Sequence, residues 1–91
     1  MQSPMPMPIL SRFLGITIAM FYRDHGPAHF HARYGEHEAL VEIESGAVQG
    51  SLPPRAKLLV QEWRLLRLQE LRADWKRCQR CEALKPIAPL E

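Results

Sequence analysis

Hydrophobic and polar residues alternate along the first half of the chain with the two-residue period of β-strands. Residues 15–23 form the first strong segment of this kind, and residues 9–13 lead into it. Its apolar face carries Ile16, Ile18 and Met20. Turn-forming residues at 24–28 end the segment, because Asp, Gly and Pro interrupt regular structure. The pattern therefore predicts a strand over residues 15–23.

Two further alternating segments, residues 29–34 and 37–44, are separated by only two residues, Gly and Glu. A two-residue turn there makes a hairpin in which His29 lies opposite Glu42. In this register the apolar face carries Phe30, Ala32, Tyr34, Ala39, Val41 and Ile43. The polar face carries His29, His31, Arg33, Glu38, Glu42 and Glu44, with Leu40 as the exception. Since a slip of one residue would exchange the faces, their clean separation supports the register.

The second half of the chain changes to the period of a helix. Residues 47–52 predict a short fourth strand, with Val48 opposite Ile43, and two prolines at 53–54 then open a helix over residues 55–80. Its apolar stripe should cover the sheet and consists of Ala56, Leu59, Val60, Trp63, Leu66 and Leu71. The predicted fold is α+β, an antiparallel sheet of about four strands packed on one long C-terminal helix.

Composition and charge fit one soluble domain. Of the 91 residues, 46% are hydrophobic and 24% charged, and the net charge is +2, too small to argue nucleic-acid binding. We expect a flexible leader over residues 1–8, where Met and Pro alternate, and a single domain over residues 9–91. No apolar run reaches the roughly 18–20 residues of a membrane span. The two cysteines, Cys78 and Cys81, fit free thiols in a reduced cytoplasm.

The four histidines, which fall within thirteen consecutive positions, are the strongest chemical signal. His29 and His31 project from the same face of one strand, and Glu42 lies across from His29. Imidazole beside carboxylate supports proton transfer, and the same groups ligate metals. The candidate catalytic residues are His25, His29, His31, Arg33 and Glu42. The candidate metal ligands are His29, His31 and Glu42, with His25 in a wider set.

Simpler interpretations compete with these sites. Histidine and glutamate on a polar strand face also form solvated pairs that contribute under about 1 kcal/mol each. Arg33 could hold a phosphate of RNA, but its predicted neighbour Glu38 offers an ordinary ion pair. His37 lies at the far end of the strand from His25, so all four histidines cannot share one metal.

The segment from Asp24 to Gly35, with its Asp-His and His-Phe-His elements, resembles the prokaryotic domain of unknown function catalogued as number 4160. Supporting similarities continue through Glu62-Trp63 to Pro89-Leu90, so the resemblance covers nearly everything after the leader. One departure is Ala28, where the family usually has a second proline. The resemblance implies a small bacterial or phage-borne cytoplasmic protein, often encoded beside another small protein. It implies no reaction for the histidines.

These observations lead to three functional hypotheses. The first is an interaction or regulatory module, such as one half of a toxin–antitoxin-like gene pair. It would bind a protein partner or itself through Leu58 and Leu65, which lie opposite the helix stripe, or through a strand edge. The second is a metal-independent RNase that uses the histidine cluster. The third is a metal-binding protein holding zinc or another divalent ion. The first two hypotheses require neither metal nor small-molecule cofactor, and none involves a membrane.

Overall fold

The computed structural model describes residues 8–91, which fold into a five-stranded antiparallel sheet and two helices. In chain order the elements are β1 (Ile9–Phe13), β2 (Ile16–Ala19), β3 (His29–Tyr34), β4 (His37–Glu42), β5 (Val48–Gly50), α1 (Pro54–Leu66) and α2 (Leu68–Gln79). The strands lie side by side in chain order. The α+β class and the antiparallel sheet are thus confirmed. Apart from Pro8, the expected leader lies outside the described residues.

The strand missing from the prediction is β1, which we expected only to lead into the next segment. It forms a hairpin with β2 in which Phe13 lies opposite Ile16, so that only Leu14 and Gly15 connect the strands. Both residues have positive φ angles, 50° and 83°, as a type I′ turn requires. Because leucine rarely adopts positive φ, the sequence carries little sign of this turn.

The strand predicted over residues 15–23 is shorter, because the chain leaves the sheet after Ala19. Its apolar face is nevertheless as expected, since Ile16, Ile18 and Met20 are all buried. Beyond the strand, the backbone N–H of Arg23 donates to the carbonyl of Cys78. The segment after β2 therefore turns toward the end of α2, and this contact positions the loop that follows.

The central β3–β4 hairpin confirms the predicted register residue by residue. His29 pairs with Glu42, and Tyr34 pairs with His37 across the two-residue turn. The core-facing side chains Phe30 and Val41 are fully buried, and Tyr34 at the end of the strand is half-buried. The opposite face of β3 carries His29 and His31. One alternating strand thus supplies both the core and the candidate site.

The predicted partner of Val48 is wrong, because it lies opposite Val41 and not Ile43. The backbone N–H of Glu42 donates to the carbonyl of Ala47, which leaves four residues in the connecting loop instead of two. Gly46 in this loop has a φ of 78°. The longer loop displaces β5 relative to the expected register.

The single predicted helix is divided at Arg67, which has φ −112° and ψ 23°. Apart from Arg64, the buried positions of the two helices are spaced by three and four residues within each helix: Ala56, Val60, Trp63, Leu71, Asp74 and Cys78. Arg67 occupies the position of this stripe between Trp63 and Leu71, where an apolar residue would complete the pattern. The interruption thus falls at a stripe position that carries arginine, although the fully buried Asp74 shows that the stripe admits a charged residue without a break.

The helices pack on one face of the sheet and enclose the core with it. That core comprises Leu10, Phe13, Ile16, Ile18, Met20, Phe30, Ala32, Ala39, Val41, Ile43, Leu52, Ala56, Val60, Trp63, Leu71, Cys78 and Ile87. Leu66, which we expected in the stripe, is instead 64% exposed. None of the helices described is long and apolar enough to cross a membrane.

The C-terminal tail is extended, as its prolines predict, and it is fixed to the core. The backbone N–H of Ile87 donates to the carbonyl of Leu10 at 2.8 Å, beside β1. The indole N–H of Trp63 donates to the carbonyl of Ala88 at 2.8 Å. The first bond pairs one backbone carbonyl of the edge strand β1, and the second fixes the tail to α1.

Gly50 should tolerate alanine far less well than Gly35. A Cβ at Gly50 would lie 2.6 Å from the carbonyl oxygen of Glu38, at a φ of 114° that side chains rarely adopt. Gly35 also has positive φ, but a Cβ there meets no described atom within 4 Å. We expect Gly50→Ala to lower the free energy of unfolding by about 3 kcal/mol and Gly35→Ala by about 1 kcal/mol. Urea unfolding of both variants tests this, and equal losses would contradict the close approach of β5 to β4.

Candidate functional site

The centre of the polar sheet face is the buried ring of His29, the first residue of β3. Its Nδ1 lies 2.8 Å from the carbonyl oxygen of Pro27, and its Nε2 lies 2.8 Å from Oδ2 of Asp24. Each ring nitrogen therefore lies within hydrogen-bonding distance of an acceptor. The ring is thereby fixed in orientation and is almost completely buried.

Asp24 reaches this ring from the loop between β2 and β3. Its second oxygen, Oδ1, accepts a hydrogen bond from the backbone N–H of His25 at 2.9 Å. Burial raises the pKa of the Asp24 carboxyl, but the hydrogen bonds from His29 and from the His25 backbone outweigh it and hold the pKa below its usual value. Asp24 is therefore an ionised carboxylate directed at the histidines.

His31 lies two residues along β3 and shares the same carboxylate oxygen. Its Nε2 is 3.5 Å from Oδ2 of Asp24, which is an ion-pair distance but too long for a good hydrogen bond. This nitrogen is buried and has no hydrogen-bond partner among the residues described. Burial lowers the pKa of the His31 imidazole, and the Asp24 carboxylate offsets this only in part. The ring is therefore held as a neutral imidazole with an unused nitrogen.

The carboxyl end of α2 forms the wall behind these residues. The Trp75 ring packs on His29 with 5.2 Å between ring centroids. The side-chain amide of Gln79 donates to the backbone carbonyl of Asp24 at 3.0 Å. The Cys78 thiol donates to the carbonyl of Phe21, and burial raises the pKa of this thiol. Helix α2 thus holds both the loop and the ring in place.

The side chains of the other predicted site residues lie around this cluster and make no hydrogen bond to it. His25 and Glu42 line a cavity of about 250 Å³ that also borders Asp24 and His29. Glu42 lies opposite His29 as predicted, and its Oε1 accepts a hydrogen bond from the Ser45 hydroxyl. Arg33 is exposed and lies 3.6 Å from Glu38, the simple ion pair considered above.

The donor atoms of Asp24, His29 and His31 all lie within 4.8 Å of one another. Two imidazoles and one carboxylate form a set that binds zinc and other transition metals. The predicted set of metal ligands was His29, His31 and Glu42. In the described part of the chain, the carboxylate that joins the two histidines is that of Asp24 and not that of Glu42. The same atoms also allow proton transfer between imidazole and carboxylate.

Two contributors to the site were missed from the sequence. Asp24 was interpreted only as a turn former, although it stands five residues before His29 in a loop that must return to β3. Trp75 was not among the predicted site residues, and it is half-buried against the His29 ring. An aspartate at the start of a short loop leading to a histidine-bearing strand was the available signal for the first. No local pattern indicated the second.

The comparisons with known proteins identify the family and nothing closer. Residues 15–76 match the family described as a domain of unknown function, DUF4160, and the chain belongs to it. The matched region includes the sheet from β2 onward and most of both helices, and all three residues of the cluster. No curated protein and no solved structure matched the chain. The resemblance noted in the sequence is therefore confirmed.

Acidification should destabilise the metal-free protein through His31. Its pKa is lowered on folding, so between that value and the ordinary 6.5 the unfolded chain binds a proton that the folded chain does not. Stability therefore rises with pH across this window. Replacing His31 by Phe, which keeps the ring, should flatten this dependence. Urea unfolding in the presence of a chelator, from neutral pH to the acid side of this window, measures the free energy of unfolding at each pH. The same pH dependence in the wild type and in His31→Phe would contradict the lowered pKa of His31.

Proposed function

We propose that this protein binds a divalent transition-metal ion through Asp24, His29 and His31. The observation that carries the proposal is the convergence of three donor atoms, Oδ2 of Asp24 and the Nε2 atoms of both histidines. Each comes from a residue type that binds zinc, and together they leave room for a further ligand.

The distances within the cluster support this proposal. Ligands about 2.1 Å from a metal lie about 3.0 Å apart at right angles and about 3.4 Å apart at a tetrahedral angle. Oδ2 of Asp24 is 2.8 Å from the Nε2 of His29 and 3.5 Å from the Nε2 of His31. An ion could therefore be bound with small movements of the side chains.

The surroundings of His29 also favour metal binding. Histidines that ligate metals usually donate their other ring N–H to a carbonyl or carboxylate, which fixes the tautomer. The contact from Nδ1 of His29 to the carbonyl of Pro27 is of this kind. The unused, buried Nε2 of His31 needs a partner, since an unsatisfied buried polar atom costs about 1–3 kcal/mol. A bound ion would supply that partner.

Residues that only hydrogen-bond to a metal ligand typically contribute roughly 10–100-fold to metal affinity. Loss of one of the ligands themselves should therefore weaken zinc binding by more than this. The variants are Asp24→Asn and His31→Phe, which preserve the shape of each side chain. Isothermal titration calorimetry in the presence of a competing chelator gives the affinity. Zinc at a hundred times its dissociation constant should also stabilise the wild type by about 2.7 kcal/mol.

Two controls separate this site from adventitious binding. His37 is exposed at the far end of the hairpin, so His37→Ala should bind zinc as the wild type does. Cys81 carries an exposed thiol, so Cys81→Ser should also retain full affinity. Equal affinity of the wild type and His31→Phe would exclude the proposed site.

The second candidate is the interaction or regulatory module, including the toxin–antitoxin-like pairing that the family resemblance suggests. The observation that favours it is the apolar surface of α1, where Leu58, Leu65 and Leu66 are 61–64% exposed. Leu58 and Leu65 are two helical turns apart and lie on one side. Exposed apolar patches of this kind mark contact surfaces for proteins. The free thiols of Cys78 and Cys81 support a cytoplasmic location.

If α1 mediates self-association, the mass in solution should increase with protein concentration. Replacing Leu58 and Leu65 together by Ser should abolish that increase and leave the melting temperature almost unchanged, because both side chains are exposed. Sedimentation velocity over a wide concentration range measures the mass. A monomeric wild type at every concentration would exclude self-association and restrict this candidate to a different partner chain.

A further inference from the structure

We infer that the metal ion of the proposed site also binds a small exogenous ligand in the adjoining cavity, and that this ligand combines a neutral nitrogen donor with a cationic arm. The inference rests on the proposed metal site. It assigns to that site a class of ligand, which distinguishes a binding site from a purely structural metal centre.

The number of protein donors supports an open position on the ion. Structural zinc sites are closed by four protein ligands, whereas sites that bind water or substrate have three. Three donors converge here, from Asp24, His29 and His31. Two of these residues, Asp24 and His29, also line the cavity of about 250 Å³. A remaining coordination position on that side would therefore be accessible to a ligand.

The size of the cavity limits what it can hold. Pockets for drug-sized ligands measure roughly 300–1,000 Å³, so a cavity of about 250 Å³ suits a smaller molecule. Leu40 contributes an apolar surface, and Gln49 and Glu42 contribute hydrogen-bonding groups. A ring of one nitrogen heterocycle with a short substituent matches this combination of size and lining.

The charges around the cavity select the sign of the ligand. Two carboxylates, Asp24 and Glu42, and two imidazoles, His25 and His29, line the cavity, and none of the described lining residues is a lysine or arginine. Apart from the ion itself, a phosphate or carboxylate arm would find no lysine or arginine to bind and would face the Glu42 carboxylate. A cationic arm would instead lie near Glu42, whose carboxylate is oriented by the hydroxyl of Ser45 at 2.7 Å. The same charges disfavour a polyanion such as RNA.

Three pyridines of one shape test the inference on the protein loaded with Co²⁺, whose visible absorption reports ligand exchange. They are 3-aminomethylpyridine with a cationic arm, 3-methylpyridine with a neutral one, and nicotinate with an anionic one. We expect the cationic ligand to bind about three- to tenfold more tightly than the neutral one, and the anionic ligand to bind most weakly. Glu42→Gln should remove the preference for the cation and leave the affinity for 3-methylpyridine unchanged.

Glu36→Gln is the matched control, because Glu36 is exposed in the β3–β4 turn and does not line the cavity. It should retain the preference of the wild type. Tighter binding of nicotinate, or a preference for the cation that survives Glu42→Gln, would overturn the inference while leaving the metal site intact. Failure of Co²⁺ to bind at all would overturn the metal site itself, and so the two failures are distinguishable.

Discussion

The pairing of β3 with β4 decides which side chains of the central strands enter the core and which form the site. Phe30 and Val41 face the helices and are fully buried, whereas His29 and His31 face the opposite side. Because the side-chain period of a strand is two residues, these two assignments cannot be changed separately. The stability of the core therefore fixes the two imidazoles side by side, before any ligand contributes to their arrangement.

The buried His29 ring at the start of β3 places requirements on other parts of the chain. His29 is buried, and each of its nitrogens needs a partner, since unsatisfied polar groups are costly in the interior. The loop after β2 supplies both partners, the carbonyl of Pro27 and the carboxylate of Asp24. That loop is held in turn by Gln79 and Cys78 at the end of α2. The end of the C-terminal helix thus supports the site, although it contributes none of the three candidate metal ligands.

The parts of the fold that depend on alternation could be predicted from the sequence. The β3–β4 register and the faces of β2 follow from the positions of apolar residues alone. The first hairpin could not be predicted, because its turn places Leu14 at positive φ. The interruption at Arg67 was also missed, because an arginine at one position of the stripe does not by itself mark a break.

The sequence predicted the two histidines of the candidate site but not its carboxylate. Strand periodicity placed His29 and His31 together, and cross-strand pairing brought in Glu42. Asp24 comes from a loop, and loop geometry follows no period that a sequence displays. Glu42 instead borders the cavity beside the cluster. Membership of a family of unknown function leaves this arrangement as the main guide to what the chain does.

X-ray absorption at the zinc edge of the zinc-loaded protein tests the central claim most directly. The account predicts a shell of nitrogen and oxygen ligands at about 2.0–2.2 Å from the metal, with the outer-shell scattering of two imidazoles. That signal should fall to one imidazole in His31→Phe. A shell of sulfur at about 2.3 Å would instead place the metal on Cys78 and Cys81, and it would contradict the site at Asp24, His29 and His31.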